Sequence, residues 1–442
     1  MTNDMTEGAI APLLVKFTIP LVLGNLFQLC YNAADSMIVG GFVGEEALAA
    51  VGTCSPLMAL AILFISGMCM GAGVLMGMHY GAKDYETLER QISSTMIGGL
   101  CFSVLFALVC ILFTPQLLWL IRTQEEVLPT ATAYLRIIFA GLVFTFIYNF
   151  YAGTLRALGD SRSPLYFLII SAVLNIAGDL FFVVVLKWGS NGCAVSTVIS
   201  EALCCLLCGL YIKGRVEILC LGRKWMIFDW KLFQKTVRYG WVSAMQQATV
   251  QLGKIAIQAI VNTMGVPAMA AFAVVNRIDD FAYTPEQNIG HAMTALIAQN
   301  KGAGKKERIR EGFRCGLAIE TVYAVVICLV CFAFARPLMA LFVDDTEVIG
   351  LGTAYLRVIA AMYLLPAYTN GIQGYFRGVG DLKVTLVSSL VNMGVRVASA
   401  IPLVFLTNLG IVALPVSYLI GWAAMLLAEV PLLVRQRRTE YR

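Results

Sequence analysis

The sequence predicts an all-α integral membrane protein: twelve transmembrane helices in two pseudo-symmetric six-helix lobes. Three observations carry that prediction. The chain of 442 residues is 59% hydrophobic and only 13% charged, with a mean hydropathy of +0.79. A water-exposed surface needs about 25% charged residues. Apolar runs of about 20 residues, enough to cross a roughly 30 Å hydrocarbon core, recur along the whole length. A set of polar and glycine motifs returns at one fixed offset. Helices are the expected spanning element because each satisfies its own backbone polar groups in lipid. The alternating ten-residue strands of a membrane barrel are not seen.

Taken in order, the spans are expected near 17–43, 50–78, 94–118, 131–153, 164–187, 192–213, 237–264, 267–298, 313–335, 354–376, 384–407 and 411–434. The opening stretch holds Asp4, Glu7 and Lys16 and has no basic region before an apolar core, so no cleavable signal peptide is expected. Connections on the side of both termini hold 24 Lys and Arg, and the alternate connections hold only Arg122, Lys187 and Arg336. The positive-inside rule therefore places both termini in the cytoplasm and the chain in the inner (plasma) membrane. That placement accounts for the net charge of +5 without a nucleic-acid partner. Residues 1–213 are the expected N-terminal lobe and 237–442 the C-terminal lobe. Between them, 214–236 mixes Arg223, Lys224 and Lys231 with Trp225, Phe228, Trp230 and Phe233, an amphipathic linker suited to the inner leaflet.

The repeat is read from four matches. Gly81-Ala82 returns as Gly302-Ala303, Glu126-Val127 as Glu347-Val348, and Tyr134-Leu135-Arg136 as Tyr355-Leu356-Arg357. Arg156, Gly159 and Asp160 return as Arg377, Gly380 and Asp381, again 221 residues on. An offset of six helices leaves both halves facing the same way, related by an axis along the membrane normal. The two Arg-x-x-Gly-Asp copies are expected to be helix ends with tight cytoplasmic turns.

Ionisable groups inside the membrane cost about 2.5–3.5 kcal/mol each on insertion scales and need a reason. Asp35 in span 1 and Asp179 in span 5 lie at one depth, about 12 Å from the outer edge at 1.5 Å per residue. Asn175 is one turn before Asp179 on the same face, Thr197 of span 6 reaches a comparable level, and Gln28 sits two turns below Asp35. No basic residue of this half shares that depth. Two carboxylates facing each other at low dielectric do not both ionise readily, so the pair can carry a proton. With the Asn and Thr oxygens it can instead hold Na⁺, a hard cation.

The second half differs. Its deep charges are Lys254, Arg277, Asp279, Asp280, Glu286 and Arg396, so opposite signs are available. A polar network of Lys254, Arg277, Asp280 and Arg396 is expected there, with Lys254 and Asp280 paired. His291 reads as a packed or hydrogen-bonded residue. The 13 cysteines show no metal-ligand spacing and read as small buried hydrophobes.

At these residues the sequence resembles the multidrug and toxic compound extrusion (MATE) family over essentially its whole length. The specific part is Pro20, Gln28, Tyr31 and Asp35, then Asn175-x-x-x-Asp179, then Thr197. In type and spacing these are similar to the N-lobe cation site of the DinF-like branch. The resemblance implies acidic residues that take H⁺ or Na⁺ and a bend of span 1 near Pro20. It also implies export of amphipathic organic cations by antiport, working as a monomer, with no cofactor beyond the coupling ion. The NorM-like branch keeps acids in spans 7 and 10, where this chain reads Met245-Gln246-Gln247 and Leu365-Pro366-Ala367. The alternative is a lipid-linked precursor flippase of the same wider superfamily. An enzyme or nucleotide-driven pump is not expected, because no nucleophile with a partnered base, metal cluster or Walker loop is present.

Overall fold

The computed structural model describes residues 4–216 and 227–440. In the first half α1 (Ile10–Phe42), α2 (Glu45–Gly81), α3 (Tyr85–Leu112), α4 (Thr114–Leu120), α5 (Leu128–Ala157), α6 (Arg162–Asp179) and α7 (Gly189–Arg215) follow in order. A π-helical turn, Leu180–Val185, continues α6. The second half repeats the series as α8 (Trp230–Val261), α9 (Val266–Gly302), α10 (Lys306–Ala333), α11 (Ala335–Ala340), α12 (Thr346–Ala360), α13 (Leu364–Gly378), α14 (Leu382–Leu406) and α15 (Ala413–Glu440).

The backbone obeys the offset read from the motifs. α2 and α9 begin and end 221 residues apart, as do α3 and α10. Left-handed turn residues also correspond: Gly44 with Gly265, Lys83 with Gly304, Gly159 with Gly380 and Gly189 with Gly410. The Arg-x-x-Gly-Asp corners are therefore turns. In the first copy Asp160 is buried and its Oδ1 accepts from the N–H groups of Arg162 and Ser163, both at 3.0 Å, capping α6.

Among the described residues nine helices are long and apolar enough to cross a membrane, or ten if the bent pair α12–α13 is one span. α8 and α9, at 32 and 37 residues, have the length but carry the second half's deep charges. The continuous span expected at 354–376 is a correction: the chain breaks between α12 and α13 and bends by 48°. Pro366 supplies the reason, since it donates no N–H and its ring crowds the carbonyl four residues earlier. The matching position in the unbroken α5 is Thr145.

Two compact units divide the chain: Met1–Asp4 with Ile19–Ala244, and Met5–Thr18 with Met245–Arg442. α1 changes unit between Thr18 and Ile19, directly before Pro20. The second unit includes the opening segment, where Met5 N–H donates to Gln299 Oε1 at 2.9 Å and Lys305 Nζ donates to the Thr6 carbonyl at 2.8 Å. In the first unit, Ser94 Oγ accepts from Asp229 N–H at 2.8 Å, anchoring the start of α8. Residues 217–226 of the expected amphipathic linker lie outside the described residues; Ile227, Phe228 and Trp230, which follow, are exposed.

Each unit has its own core. Leu88, Ile92, Leu135, Phe139 and Leu155 centre the first, and Val275, Tyr355, Leu356, Tyr363 and Leu414 the second. Leu112, Trp119, Leu406 and Leu427 stay largely exposed, as lipid-facing positions do. The twelve described cysteines are free thiols.

Candidate functional site

Three helices of the first unit build the site. α1 contributes Asp35, α6 contributes Asn175 and Asp179 one turn apart, and α7 contributes Thr197. Asp179 is fully buried and Asn175 nearly so. Gly178 lets α7 come this close: a Cβ there would stand 2.4 Å from Ser196 Oγ. Ser196 Oγ donates to the Asn175 carbonyl at 2.8 Å.

The side-chain bonds leave a specific remainder. Asn175 Nδ2 donates to Thr197 Oγ1 at 3.2 Å, and Thr197 Oγ1 donates to the Cys193 carbonyl at 3.0 Å. Asn175 Oδ1, Asp35 Oδ1 and both carboxylate oxygens of Asp179 are then buried without a hydrogen-bond partner. Buried acceptors of this kind cost about 1–3 kcal/mol each unless something fills the space between them. One ligand atom each of Asp35, Asp179 and Cys193 lies within 4.8 Å of the others. The donor set fits a proton shared between the carboxylates. It also fits a hard monovalent cation held by oxygens, with the Cys193 thiol as a poor ligand for such an ion.

Sequence reasoning missed one member, Cys193, and a neighbouring half-buried acid, Glu201. Cys193 is one turn before Thr197, but a lone cysteine in an apolar helix carries no signal. Glu201 is one turn after Thr197, and its Oε2 accepts from Thr145 Oγ1 at 2.6 Å. Its spacing of four from Thr197 was visible in the sequence. Tyr31 is half-buried and Gln28 exposed, so Gln28 stands apart from the buried oxygens. Pro20 is buried within a continuous α1. The π-helical turn begins directly after Asp179. Such wide turns recur at functional sites because they re-aim the side chains beside them.

In the second unit the expected network of four does not assemble. Lys254, Asp280 and Arg396 border one cavity and Arg277 is not among its lining residues; of the four only Arg396 is buried. Lys254 acts on Asp280 electrostatically, but among the described residues the two are not within ion-pair distance, so the direct pairing expected is corrected to a longer-range one. Arg396 meets aromatic rings instead, with its Cζ 4.0 Å from the Tyr418 ring centre and 5.0 Å from that of Trp422. Gln246, in the stretch of span 7 that holds no carboxylate, donates to Gln373 Oε1 at 3.0 Å and to Ser389 Oγ at 3.2 Å. Glu286, Glu320 and Glu429 are fully buried carboxylates on other helices. The last two were passed over in the sequence because each stands alone in an apolar run.

The MatE family matches residues 20–181 and again 243–401, and the chain belongs to that family. It is 31% identical over 437 residues to "Probable multidrug resistance protein YoeA" of Bacillus subtilis strain 168, covering 97% of this chain and 94% of that one. "Probable multidrug resistance protein YpnP" of the same organism is 29% identical, over 89% of this chain and 88% of its own length. A solved structure described as the outward-facing conformation of a multidrug resistance MATE family transporter of the MOP superfamily matches with a TM-score of 0.90. It is 21% identical and is covered, like this chain, to 99%, which establishes the shared fold.

Proposed function

We propose that this multi-pass membrane protein of the MatE family is a secondary antiporter that exports amphipathic organic cations against H⁺ or Na⁺. The relatives named as multidrug resistance proteins support export of small molecules. The observation that carries the coupling mechanism is the group of four unpartnered buried oxygens on Asp35, Asn175 and Asp179. The basic residues gathered on one side support an inner-membrane protein with both termini in the cytoplasm.

In this reading the coupling ion is the missing partner. An external proton or Na⁺ settles between Asp35 and Asp179 and neutralises part of their charge. Asn175 turns its Oδ1 toward the ion because its amide nitrogen is already held by Thr197. Occupied, the cluster no longer needs water, and the lobe can close around it. Released to the cytoplasmic side, the ion leaves two carboxylates that demand solvation. Pro20 leaves a carbonyl of α1 without its helical donor, which eases a bend there. The tie to the DinF-like branch rests on these same residues.

The test is efflux of a fluorescent organic cation in proteoliposomes under separately imposed proton and Na⁺ gradients. Asp35→Asn and Asp179→Asn keep the shape and lose the charge. Both proteins are expected to fold and bind, and to lose gradient-driven turnover. Near wild-type transport with intact ion dependence in both variants refutes the coupling role. For orientation, Gln124→Cys in a cysteine-free background should label from outside and Lys306→Cys only from inside. The reverse pattern would invert the topology.

A further inference from the structure

We infer that the C-terminal lobe holds a second, separate ligand site, built to take a compact zwitterion whose carboxylate rests on Arg396. The cavity lies wholly among residues of the second unit and has a volume of about 390 Å³. Small-molecule sites have volumes of about 300–1,000 Å³.

The charge on its wall argues for an anionic group. Arg396 is 6% exposed, and its Nε is buried without a hydrogen-bond partner. Among the described residues no carboxylate lies within ion-pair distance of it, and Asp279 on the same wall attracts it from farther away. A guanidinium inside a membrane protein is costly unless paired, and stacking on Tyr418 and Trp422 offsets only part of that cost. The rings cover the face of the guanidinium and Tyr418 also hydrogen-bonds it, which leaves the Nε donor for an added acceptor such as a carboxylate. Lys254 adds a second positive charge to the same wall. Arg377 and His291 also border the cavity, each with interactions of its own. A purely cationic compound would meet these positive groups head on.

The rest of the wall argues for a positive or N–H-bearing end on the same ligand. Asp280 lines the cavity without an ion partner, and Asp279 lies beside it, its Oδ1 accepting from Tyr363 Oη at 2.9 Å. Gln246 Oε1 and Asn392 Oδ1 are buried acceptors with no donor, and both residues line the cavity. Met393, Met425 and the two rings supply polarisable, adaptable surface for an apolar body. An anion, a cation and a short apolar body together describe a zwitterion.

The site uses none of the N-lobe coupling residues, and its test needs no gradient. The probe is radiolabelled 4-(aminomethyl)benzoate, with benzoate and benzylamine as single-charge competitors, bound at equilibrium to the full chain in detergent. Saturable binding is expected, with either competitor weaker than the probe by about tenfold or more. Arg396→Gln should weaken the probe by about ten- to a hundredfold, the loss expected for a charge-assisted pair. Asp280→Asn should weaken the probe and leave benzoate unchanged. Val250→Trp, which fills the cavity while keeping Arg396, should abolish binding even if the arginine variants fail to fold. Asp35→Asn should bind as wild type does, so failure of the coupling reading and failure of this one are told apart. Absence of saturable binding to the wild-type chain overturns the site. Binding that survives Arg396→Gln or Val250→Trp unchanged does the same.

Discussion

At position 175 the first half has an asparagine, and 221 residues later the second half has Arg396. Thr197 corresponds in the same way to Tyr418, Glu201 to Trp422, Asp179 to Ala400 and Asp35 to Ala256. One backbone thus carries an acidic, oxygen-rich cluster in one copy and an arginine stacked on aromatics in the other. What the halves share is held by turn glycines, helix ends and close backbone approaches. What they do not share lies on inward faces, where a side chain changes without moving a helix. Apart from the break between α12 and α13, the common frame is kept, while the corresponding inward positions carry acceptors in the first half and an arginine with aromatic rings in the second.

The harshest way to break the comparison is to exchange its chemistry. Asn175→Arg places the second half's cation beside Asp35 and Asp179. The protein should still insert and fold, because the new charge finds two carboxylates. It should lose gradient-driven efflux altogether, since a fixed guanidinium takes the place of the ion. Ion-dependent transport at wild-type rate would show that the cluster has no coupling role.

A smaller effect separates equivalent helix contacts. A Cβ on Gly374 would stand 2.7 Å from the Gly290 carbonyl oxygen, whereas one on the matching Gly153 would stand 3.5 Å from the Cys69 carbonyl. Gly374→Ala should therefore destabilise by about 1–3 kcal/mol through overpacking against backbone. Gly153→Ala should be nearly neutral in a thermal melt in detergent. Equal losses would mean that the two lobes pack alike here.

The helix starts differ too. Asp84 caps α3, accepting from Thr87 N–H at 3.2 Å, while Lys305 at the matching position gives α10 no side-chain cap. The bonds from Thr87 hold the Asp84 carboxyl below its usual range. A depressed carboxyl contributes stability that is present above its unfolded-state pKa and lost as pH falls through the folded one. Amides in the first turn of α3 should thus exchange faster below about pH 4, and those of α10 should not. Asp84→Ala should remove the difference, at a cost of about 1 kcal/mol.

The mildest test is Lys83, which holds φ 58 where the second half has Gly304 at φ 69. Lys83→Gly should leave stability within about 1 kcal/mol of wild type or slightly above it. Gly304→Ala should lower stability by a similar amount, and an improvement there would contradict the strain argument.

Much of this was legible before any coordinates. Asp35, Asn175, Asp179 and Thr197 could be grouped from depth alone, because helical rise converts residue number into height. Height says nothing of rotation between helices. Cys193, which does sit beside the carboxylates, therefore went unnoticed. Lys254, Arg277, Asp280 and Arg396 lie on three helices of the second half and have opposite signs, which suggested pairing. Only their side-chain directions reveal that Arg277 stays off the cavity the other three border and that Arg396 stacks on rings.

The sequence by itself determined the membrane class, the two copies and their common turns. These follow from local quantities: apolar length against bilayer thickness, and the backbone angles that glycines permit. Tertiary structure alone decided which buried oxygens remain without a donor, where the tenth span breaks and what faces Arg396. Those outcomes depend on contacts between helices far apart in the chain, and a helical repeat of 3.6 residues does not specify which neighbour each face will meet.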